Sequence, residues 1–159
     1  PINLATASFG QGIDINSLHL VKFYSSIANG GFLIDPTIIL GKEREKKLVF
    51  SSTTTESLRK MLISVVEQGY GKRAKIEGYK IGGKTGTAQI PFSKLGISQK
   101  GYSEKTIQSF VAIFPENPKF VVFVKIQNPI TKTAEYSAVP IAREVIEFLI
   151  NKFQIPPDY

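Results

Sequence analysis

The sequence contains no cysteine and only one histidine. Without cysteine it has no disulfide, no thiolate zinc site and no cysteine nucleophile, and one histidine is too few for a histidine-based metal cage. We therefore expect neither a metal nor another cofactor. His19 lies between Leu18 and Leu20 on the first predicted helix, where we expect an exposed or partly packed side chain and not a catalytic base.

Long hydrophobic runs are also missing. No uninterrupted apolar run reaches the ~18 to 20 residues that a membrane span requires, and Pro1 does not open a charged-then-apolar signal peptide. With 159 residues, 42% of them hydrophobic and 21% charged, the chain as given is predicted to fold as one soluble domain. Twenty Lys and Arg against thirteen Asp and Glu leave a net charge of +7, which favours an anionic partner or surface.

Helical periodicity marks two segments in the first half of the chain. Asn16 is predicted to cap a first helix, and Asn29-Gly30-Gly31 supplies the left-handed residues that end helices. Thr53 and Glu56 match a capping box that opens a second helix, which Gly69 ends. The apolar stripe predicted for this second helix comprises Leu58, Met61, Leu62, Val65 and Val66.

Strand-like runs fall in three places. Phe32 to Leu40 and Leu48 to Phe50 predict a small peripheral hairpin. Lys80 to Ile90 predicts a strand rich in small residues. Ile107 to Phe114 and Phe120 to Gln127 flank a proline-containing turn and predict an antiparallel hairpin. Because the second arm of this hairpin is nearly all apolar, we expect it to be a central strand covered on both faces.

The remaining segments are a loop and a final helix. A polar loop is predicted from Pro91 to Lys105, and a loop of that length often borders a site. Ser137 is predicted to open a helix with Pro140 in its first turn. The apolar face predicted for this helix comprises Val139, Ala142, Val145, Ile146, Leu149 and Phe153. The fold class expected from these elements is α/β of the α+β type, an antiparallel sheet flanked by helices.

The run from Gly78 to Thr85 satisfies the letters of the phosphate-binding pattern G-x-x-x-x-G-K-[ST]. A P-loop lies between a buried hydrophobic strand and a helix whose N-terminus faces the phosphates. Here the polar segment from Lys72 to Glu77 precedes the run, and Gly86 and Pro91 interrupt any helix after it. The context therefore argues against a nucleotide site, and a P-loop protein is the least favoured hypothesis.

The alternative places Lys84-Thr85-Gly86-Thr87 on a strand. In a regular strand Lys84 and Gly86 point one way and the two threonines the other, so a site that uses all three polar side chains needs local twist, which Gly86 permits. The glycines leave the backbone open for an extended peptide, whose carboxylate would meet the threonine hydroxyls and the lysine ammonium. A glycine-rich bend at a sheet edge with a solvated lysine is the competing interpretation.

Three segments in order along nearly the whole chain carry a family resemblance. They are Ala7 to Gly12 with the helix that ends at Ala28-Asn29-Gly30-Gly31, Lys84 to Gln89, and Ser109 to Pro115. Together they resemble the C-terminal part of a monofunctional (class B) penicillin-binding protein transpeptidase domain, whose signatures include K-T-G. The resemblance implies the β-lactamase/transpeptidase-like fold and acyl transfer on D-alanyl-D-alanine peptides of peptidoglycan, blocked by β-lactams.

The resemblance also implies roles for individual residues. Lys84 would supply positive potential and help proton movement near the nucleophile. The hydroxyls of Thr85 and Thr87 would bind the carboxylate of the substrate or antibiotic, and the backbone N–H of Thr87 would form part of the oxyanion hole. Lys84 and Thr87 are thus the expected catalytic residues, and Gly83 and Gly86 complete the expected substrate-binding set. The polar loop after this strand would overhang the cleft.

Two further elements of the family pattern precede K-T-G, a Ser-x-x-Lys nucleophile and a Ser-x-Asn. No Ser-x-Asn occurs here, and one Ser-x-x-Lys does, Ser57 to Lys60. On the second predicted helix Lys60 lies almost opposite the apolar stripe and therefore in water, whereas a base must be held near the hydroxyl and partly desolvated. We expect the true nucleophile upstream of Pro1, so that residues 1–159 are the C-terminal portion of one transpeptidase domain and inactive alone.

Partners and location follow from the same hypothesis. Peptidoglycan stem peptides ending in D-alanyl-D-alanine, β-lactams and the upstream part of the same domain are the expected partners, outside the cytoplasmic membrane. The apolar strand Phe120 to Gln127 needs a further partner strand, so the chain alone is expected to self-associate. No nucleic-acid binding is expected, because basic and aromatic residues are not interleaved on one face. A non-catalytic basic module that captures peptides or wall polymer remains the alternative.

Overall fold

The computed structural model describes residues 2–159, with side chains from residue 4 onward, and shows helices around a three-stranded antiparallel sheet. The helices are α1 (Ile2–Ala7), α2 (Ser17–Ala28), α3 (Ser52–Gln68) and α4 (Ala138–Phe153). The strands are β1 (Phe32–Ile34), β2 (Lys46–Leu48), β3 (Gly82–Pro91), β4 (Tyr102–Phe114) and β5 (Phe120–Gln127). Short 3-10 turns occur at Lys72–Ala74, Phe92–Leu95 and Ala134–Tyr136.

The main sheet has the order β3-β4-β5, so that β4 is its central strand. One face packs against α4, and the core there joins Phe110 and Phe114 of β4 to Val139 and Ile146 of α4. The other face packs against α2 and α3, where Ile27, Leu62 and Ile113 form a second apolar cluster. The predicted fold class, an antiparallel sheet flanked by helices, is confirmed.

Both predicted hairpins are present, but the peripheral one is smaller than predicted. Its first arm ends at Ile34 instead of Leu40, and its second arm is Lys46–Leu48 instead of Leu48 to Phe50. Phe32 pairs with Leu48 and Ile34 with Lys46 in an antiparallel ladder separate from the main sheet. In the main sheet Phe114 pairs with Phe120, and Ile107 pairs with Gln127 at the far end of the hairpin. Both predictions depended on alternation and turn residues, which are local signals.

The helix starts were predicted with unequal success. Asn16 caps α2 as expected, because its side chain accepts a hydrogen bond from the N–H of Leu18 at 2.8 Å. The capping box proposed at Thr53 is wrong, since Ser51 is the cap and accepts from the N–H of Thr54 at 3.1 Å. The run of hydroxyl residues from 51 to 55 offers several alternative caps, and the helix begins at the earliest of them.

The predicted apolar faces need correction in both long helices. Met61 of α3 is 64% exposed, whereas Leu62 and Val66 are buried against the sheet. In α4, Val145 and Phe153 are exposed, and the buried residues are Ala138, Val139, Ala142, Ile146 and Ile150. Each helix meets the sheet along a narrower strip than the spread of its apolar residues suggests.

Two expectations about the sheet need correction. Phe120 to Gln127 is covered on both faces as expected, by α4 and by α2, but within residues 2–159 it is an edge strand that pairs only with β4. The predicted loop Pro91 to Lys105 is shorter, because β4 already begins at Tyr102 and the turn Phe92–Leu95 interrupts the loop. The first residues of β4 are polar and extend beyond the core, so they carry no hydrophobic alternation that a sequence pattern would detect.

The C-terminal residues fold back on the segment that leads into β3. The Asp158 carboxylate accepts hydrogen bonds from the N–H of Lys80 at 2.7 Å and from the N–H of Glu116 at 3.0 Å. The Tyr79 hydroxyl donates to the carbonyl of Ile155 at 2.8 Å. These contacts join the start of β3 and the β4–β5 turn to the chain terminus.

Among residues 2–159, no helix is long and apolar enough to cross a membrane.

Candidate active site

The Lys-Thr-Gly-Thr segment lies on β3, at the edge of the main sheet opposite β5. Its ladder with β4 is regular from Gly82 to Gln89, and the register shifts only between Gln89 and Pro91. Gly86 therefore introduces no bulge within the motif. Within the described part of the chain, no strand pairs with the outer side of β3, so this edge is open for an added strand.

The direction of the peptide groups shows which β3 residues face the open edge. Asn128 donates its N–H to the carbonyl of Thr106 at 2.7 Å, so the N–H and C=O groups of even-numbered β4 residues point toward β5 and those of odd-numbered β4 residues point toward β3. Even-numbered residues of β3 pair with these odd-numbered β4 residues, so their own N–H and C=O groups point toward β4. The N–H and C=O groups of Thr85 and Thr87 consequently face outward. Consistently, the exposed Lys84 ammonium reaches the carbonyl of Thr85 at 2.7 Å.

The side chains of the motif lie on two faces. A Cβ placed on Gly82 would lie 3.1 Å from Leu62 Cβ, which identifies the α3 face as the one shared by Gly82 and Lys84. Thr87 lies on the opposite face, where its Oγ1 accepts a hydrogen bond from the N–H of Ala134 at 3.3 Å. Regular alternation therefore places the lysine and threonine side chains on opposite faces of the strand. Only a ligand bound along the strand edge would be within reach of both.

The two glycines before the lysine are buried, and packing accounts for them. A Cβ on Gly83 would lie 2.3 Å from Cζ of Phe110, whose ring fills the α4 side of the sheet. A Cβ on Gly82 would be less crowded, at 3.1 Å from both Ile113 and Leu62. A Cβ on Gly86 would meet only the Ser109 hydroxyl, at 2.7 Å. Gly82 and Gly83 thus allow close packing beneath the strand.

Charged pairs lie at both ends of β3. Near its start, Lys80 donates to both carboxylate oxygens of Glu116 at 2.9 Å, and this hydrogen bond raises the pKa of Lys80. Near its end, Lys94 donates to Asp14 at 2.8 Å. This hydrogen bond, together with the positive charge of Lys94, lowers the pKa of Asp14. The second pair places the segment after α1 beside the Phe92–Leu95 turn at the far end of the open edge.

Three candidate sites from the sequence are not assembled. The phosphate-binding interpretation fails because β3, and not a helix, continues through Lys84 and Thr85. Lys60 has a side chain that is 74% exposed and pairs with Glu56, and Ser57 is also exposed, as the helical geometry predicted. His19 is exposed. Among the described residues no group of three His, Asp or Glu side chains is arranged to hold a metal ion.

A polar cluster beside the motif is not predicted from the sequence. Gln108 is fully buried in β4, directly opposite Thr87, and its amide bonds to Thr131 and Ser137 on the connection between β5 and α4. The signal was an amide in the same alternating row as Phe110, Ala112 and Phe114, which form the buried face of the strand. A buried glutamine requires partners, and the alternation pattern alone does not say which segment supplies them.

The fold and the edge strand together define the transpeptidase class of penicillin-recognising proteins. The model of the penicillin binding protein transpeptidase domain matches residues 2–147, and the chain belongs to that family, as the resemblance to its class B members predicted. The chain is 35% identical to the peptidoglycan D,D-transpeptidase FtsI homolog of Mesostigma viride, over 98% of this chain and 30% of that protein. It is 37% identical to the stage V sporulation protein D of Bacillus subtilis, over 99% of this chain and 26% of that protein.

Solved structures give the same result. The transpeptidase domain of Burkholderia pseudomallei penicillin-binding protein 3 superposes with a TM-score of 0.84 at 31% identity, over 99% of this chain and 48% of that one. Penicillin-binding protein 3 from Mycobacterium tuberculosis, complexed with aztreonam, has a TM-score of 0.79 at 26% identity, over 98% of this chain and 39% of that one. The chain thus spans less than a third of these curated relatives and less than half of these solved chains.

Proposed function

We propose that this chain is the C-terminal portion of a peptidoglycan D,D-transpeptidase and supplies the strand along which the substrate peptide binds. The observation that carries the proposal is the open edge of β3, where the peptide groups of Thr85 and Thr87 face outward. A D-alanyl-D-alanine end extended along this edge would form main-chain hydrogen bonds with it, as an added strand does.

The chemistry assigned to the edge is anion and oxyanion binding. The hydroxyls of Thr85 and Thr87 donate to the substrate carboxylate, with the Lys84 ammonium nearby to supply positive potential. The outward N–H of Thr87 donates to the oxygen that becomes negative as the acyl carbon turns tetrahedral. Gly86 keeps a side chain away from the backbone that the substrate approaches, whereas Gly83, expected in the substrate-binding set, serves packing instead, because its missing Cβ would point at Phe110.

The nucleophile is assigned to a part of the domain upstream of Pro1. The Ser57-x-x-Lys60 alternative lacks the buried base that an activated serine needs, since Lys60 is exposed and paired with Glu56.

The proposed function also implies a location. The parent protein is expected to act outside the cytoplasmic membrane, where peptidoglycan is cross-linked. Support for the ligand class includes relatives solved in complex with aztreonam and ampicillin.

The test is acylation of the natural full-length protein by a fluorescent penicillin. Lys84→Ala is expected to slow acylation at least tenfold, because the site loses its positive charge. Lys42→Ala is the matched control, since Lys42 is an exposed lysine on the β1–β2 connection and its loss lowers the net charge equally. Equal rates in the two variants would refute the role of Lys84, and a label mapped to Ser57 would refute the assignment of the nucleophile.

A further inference from the structure

The buried amide of Gln108 uses its complete hydrogen-bonding capacity. Its Nε2 donates to Thr106 Oγ1 at 3.0 Å and to the carbonyl of Thr131 at 2.6 Å. Its Oε1 accepts from Thr131 Oγ1 at 3.1 Å and from the Ser137 hydroxyl. A glutamine amide offers two donors and two acceptor lone pairs, so no capacity is left over for another role.

Two of these partners, Thr131 and Ser137, flank Ala134 on the connection between β5 and α4. Ala134 is 1% exposed, and its carbonyl accepts from the N–H of Ser137 at 3.2 Å, so one backbone hydrogen bond joins the two residues directly. Its own N–H donates to Thr87 Oγ1 at 3.3 Å. Gln108 lies directly opposite Thr87 on the neighbouring strand. The amide therefore holds in place the segment that contacts the threonine hydroxyl.

This contact determines how Thr87 can act. A threonine hydroxyl has one proton to donate and two lone pairs with which to accept. Because Ala134 is a donor, it occupies a lone pair, and the hydroxyl proton must point elsewhere. Thr87 is exposed, so the proton is free to face a bound anion.

We propose that Gln108 is a positioning residue, which orients the Thr87 hydroxyl as a donor to the substrate carboxylate by holding Ala134 against it. The inference rests on the proposed function of Thr87. Without Gln108, the carbonyl and hydroxyl of Thr131 and the hydroxyl of Ser137 lose a buried partner, and the segment shifts to find water. The Thr87 hydroxyl then no longer accepts a hydrogen bond from Ala134, and its proton is free to turn inward, away from the substrate carboxylate.

A double-mutant cycle distinguishes this role from a general contribution to folding. The second-order rate constant for acylation by a penicillin would be measured on the natural full-length protein carrying Thr87→Val, Gln108→Met or both. Loss of the hydroxyl bond to the carboxylate is expected to slow Thr87→Val about 10- to 100-fold. Gln108→Met is expected to slow acylation at least threefold and to add less than about twofold when Thr87 is already valine.

The outcomes separate the two proposals. An unchanged rate in Thr87→Val would refute the proposed role of Thr87 and this inference with it. A slow Thr87→Val combined with an unchanged Gln108→Met, or with independent factors that multiply in the double variant, would refute only the positioning role.

A second pair of variants keeps the test decisive if Gln108→Met does not fold. Thr131→Val and Thr106→Val each remove one hydroxyl that contacts the Gln108 amide, but only Thr131 belongs to the segment with Ala134. Thr131→Val is expected to slow acylation and to lower the hydrogen-exchange protection of the Ala134 N–H, while Thr106→Val does neither. Equal behaviour of the two variants would overturn the inference.

Discussion

Replacing Gly83 by alanine is the sharpest test of how β3 packs on the sheet. The new Cβ would lie 2.3 Å from Cζ and 2.8 Å from Cε2 of Phe110, and 3.0 Å from the carbonyl oxygen of Val111. Ordinary carbon contacts are about 3.5 to 4.0 Å, so the ring must move by more than about 1 Å. Phe110 is 0% exposed, and a close-packed core leaves little room for that movement.

The expected loss of folding free energy is about 1 to 3 kcal/mol, the usual cost of overpacking a tight core. The melting temperature of the natural full-length protein should fall with it. Urea unfolding and thermal unfolding, both followed by circular dichroism, measure the two quantities.

Gly86→Ala is the matched control, because its new Cβ would meet only the Ser109 hydroxyl, which can rotate away. Its stability should stay within about 0.5 kcal/mol of the parent. In the Gly83→Ala background, Phe110→Leu should cost less than it does alone, since it removes the clashing ring. A Gly83→Ala variant as stable as Gly86→Ala would refute the packing argument.

Further substitutions test other parts of the structure. Asp158→Ala should lower the free energy of unfolding, measured by urea titration, by about 1 to 3 kcal/mol, because two backbone N–H groups lose their acceptor. Asp35→Ala is its control: it removes an exposed carboxylate and should change the free energy of unfolding by less than about 0.5 kcal/mol. Leu62→Ala should cost about 2 to 5 kcal/mol and Met61→Ala far less, because only Leu62 is buried. Ser57→Ala should leave penicillin labelling of the full-length protein unchanged on a fluorescent gel, and lost labelling would contradict the exposed geometry of this serine.

Local signals were sufficient for much of the fold. The cap at Asn16 and the glycines after Asn29 marked both ends of α2, because caps are decided by a few neighbouring residues. The β4–β5 hairpin was equally clear from its alternation and its turn. These features depend on hydrogen bonds between residues close in sequence.

Features that depend on distant partners were not predictable in this way. An apolar strand indicates burial, but β5 is at an edge because strand order is a property of the whole sheet. Met61 and Val145 are apolar and exposed, because the strip where a helix meets a sheet is set by the packing of both elements. The start of β4 at Tyr102 lacked any hydrophobic pattern that marks a strand.

The candidate site was partly predictable. The letters Lys-Thr-Gly-Thr indicated an edge strand open to a peptide, and the structure has that strand at an edge. The role of each residue stays a prediction. The buried Gln108 and its hold on Ala134 required the register between β3 and β4, because Thr87 and Gln108 are neighbours only across the sheet.

The most direct test of the central claim is a crystal structure of the natural full-length protein acylated by a penicillin. We predict that the antibiotic carboxylate lies within hydrogen-bonding distance of the hydroxyls of Thr85 and Thr87, and that the acyl oxygen accepts from the N–H of Thr87. A carboxylate bound elsewhere, with the edge of β3 facing only water, would contradict it.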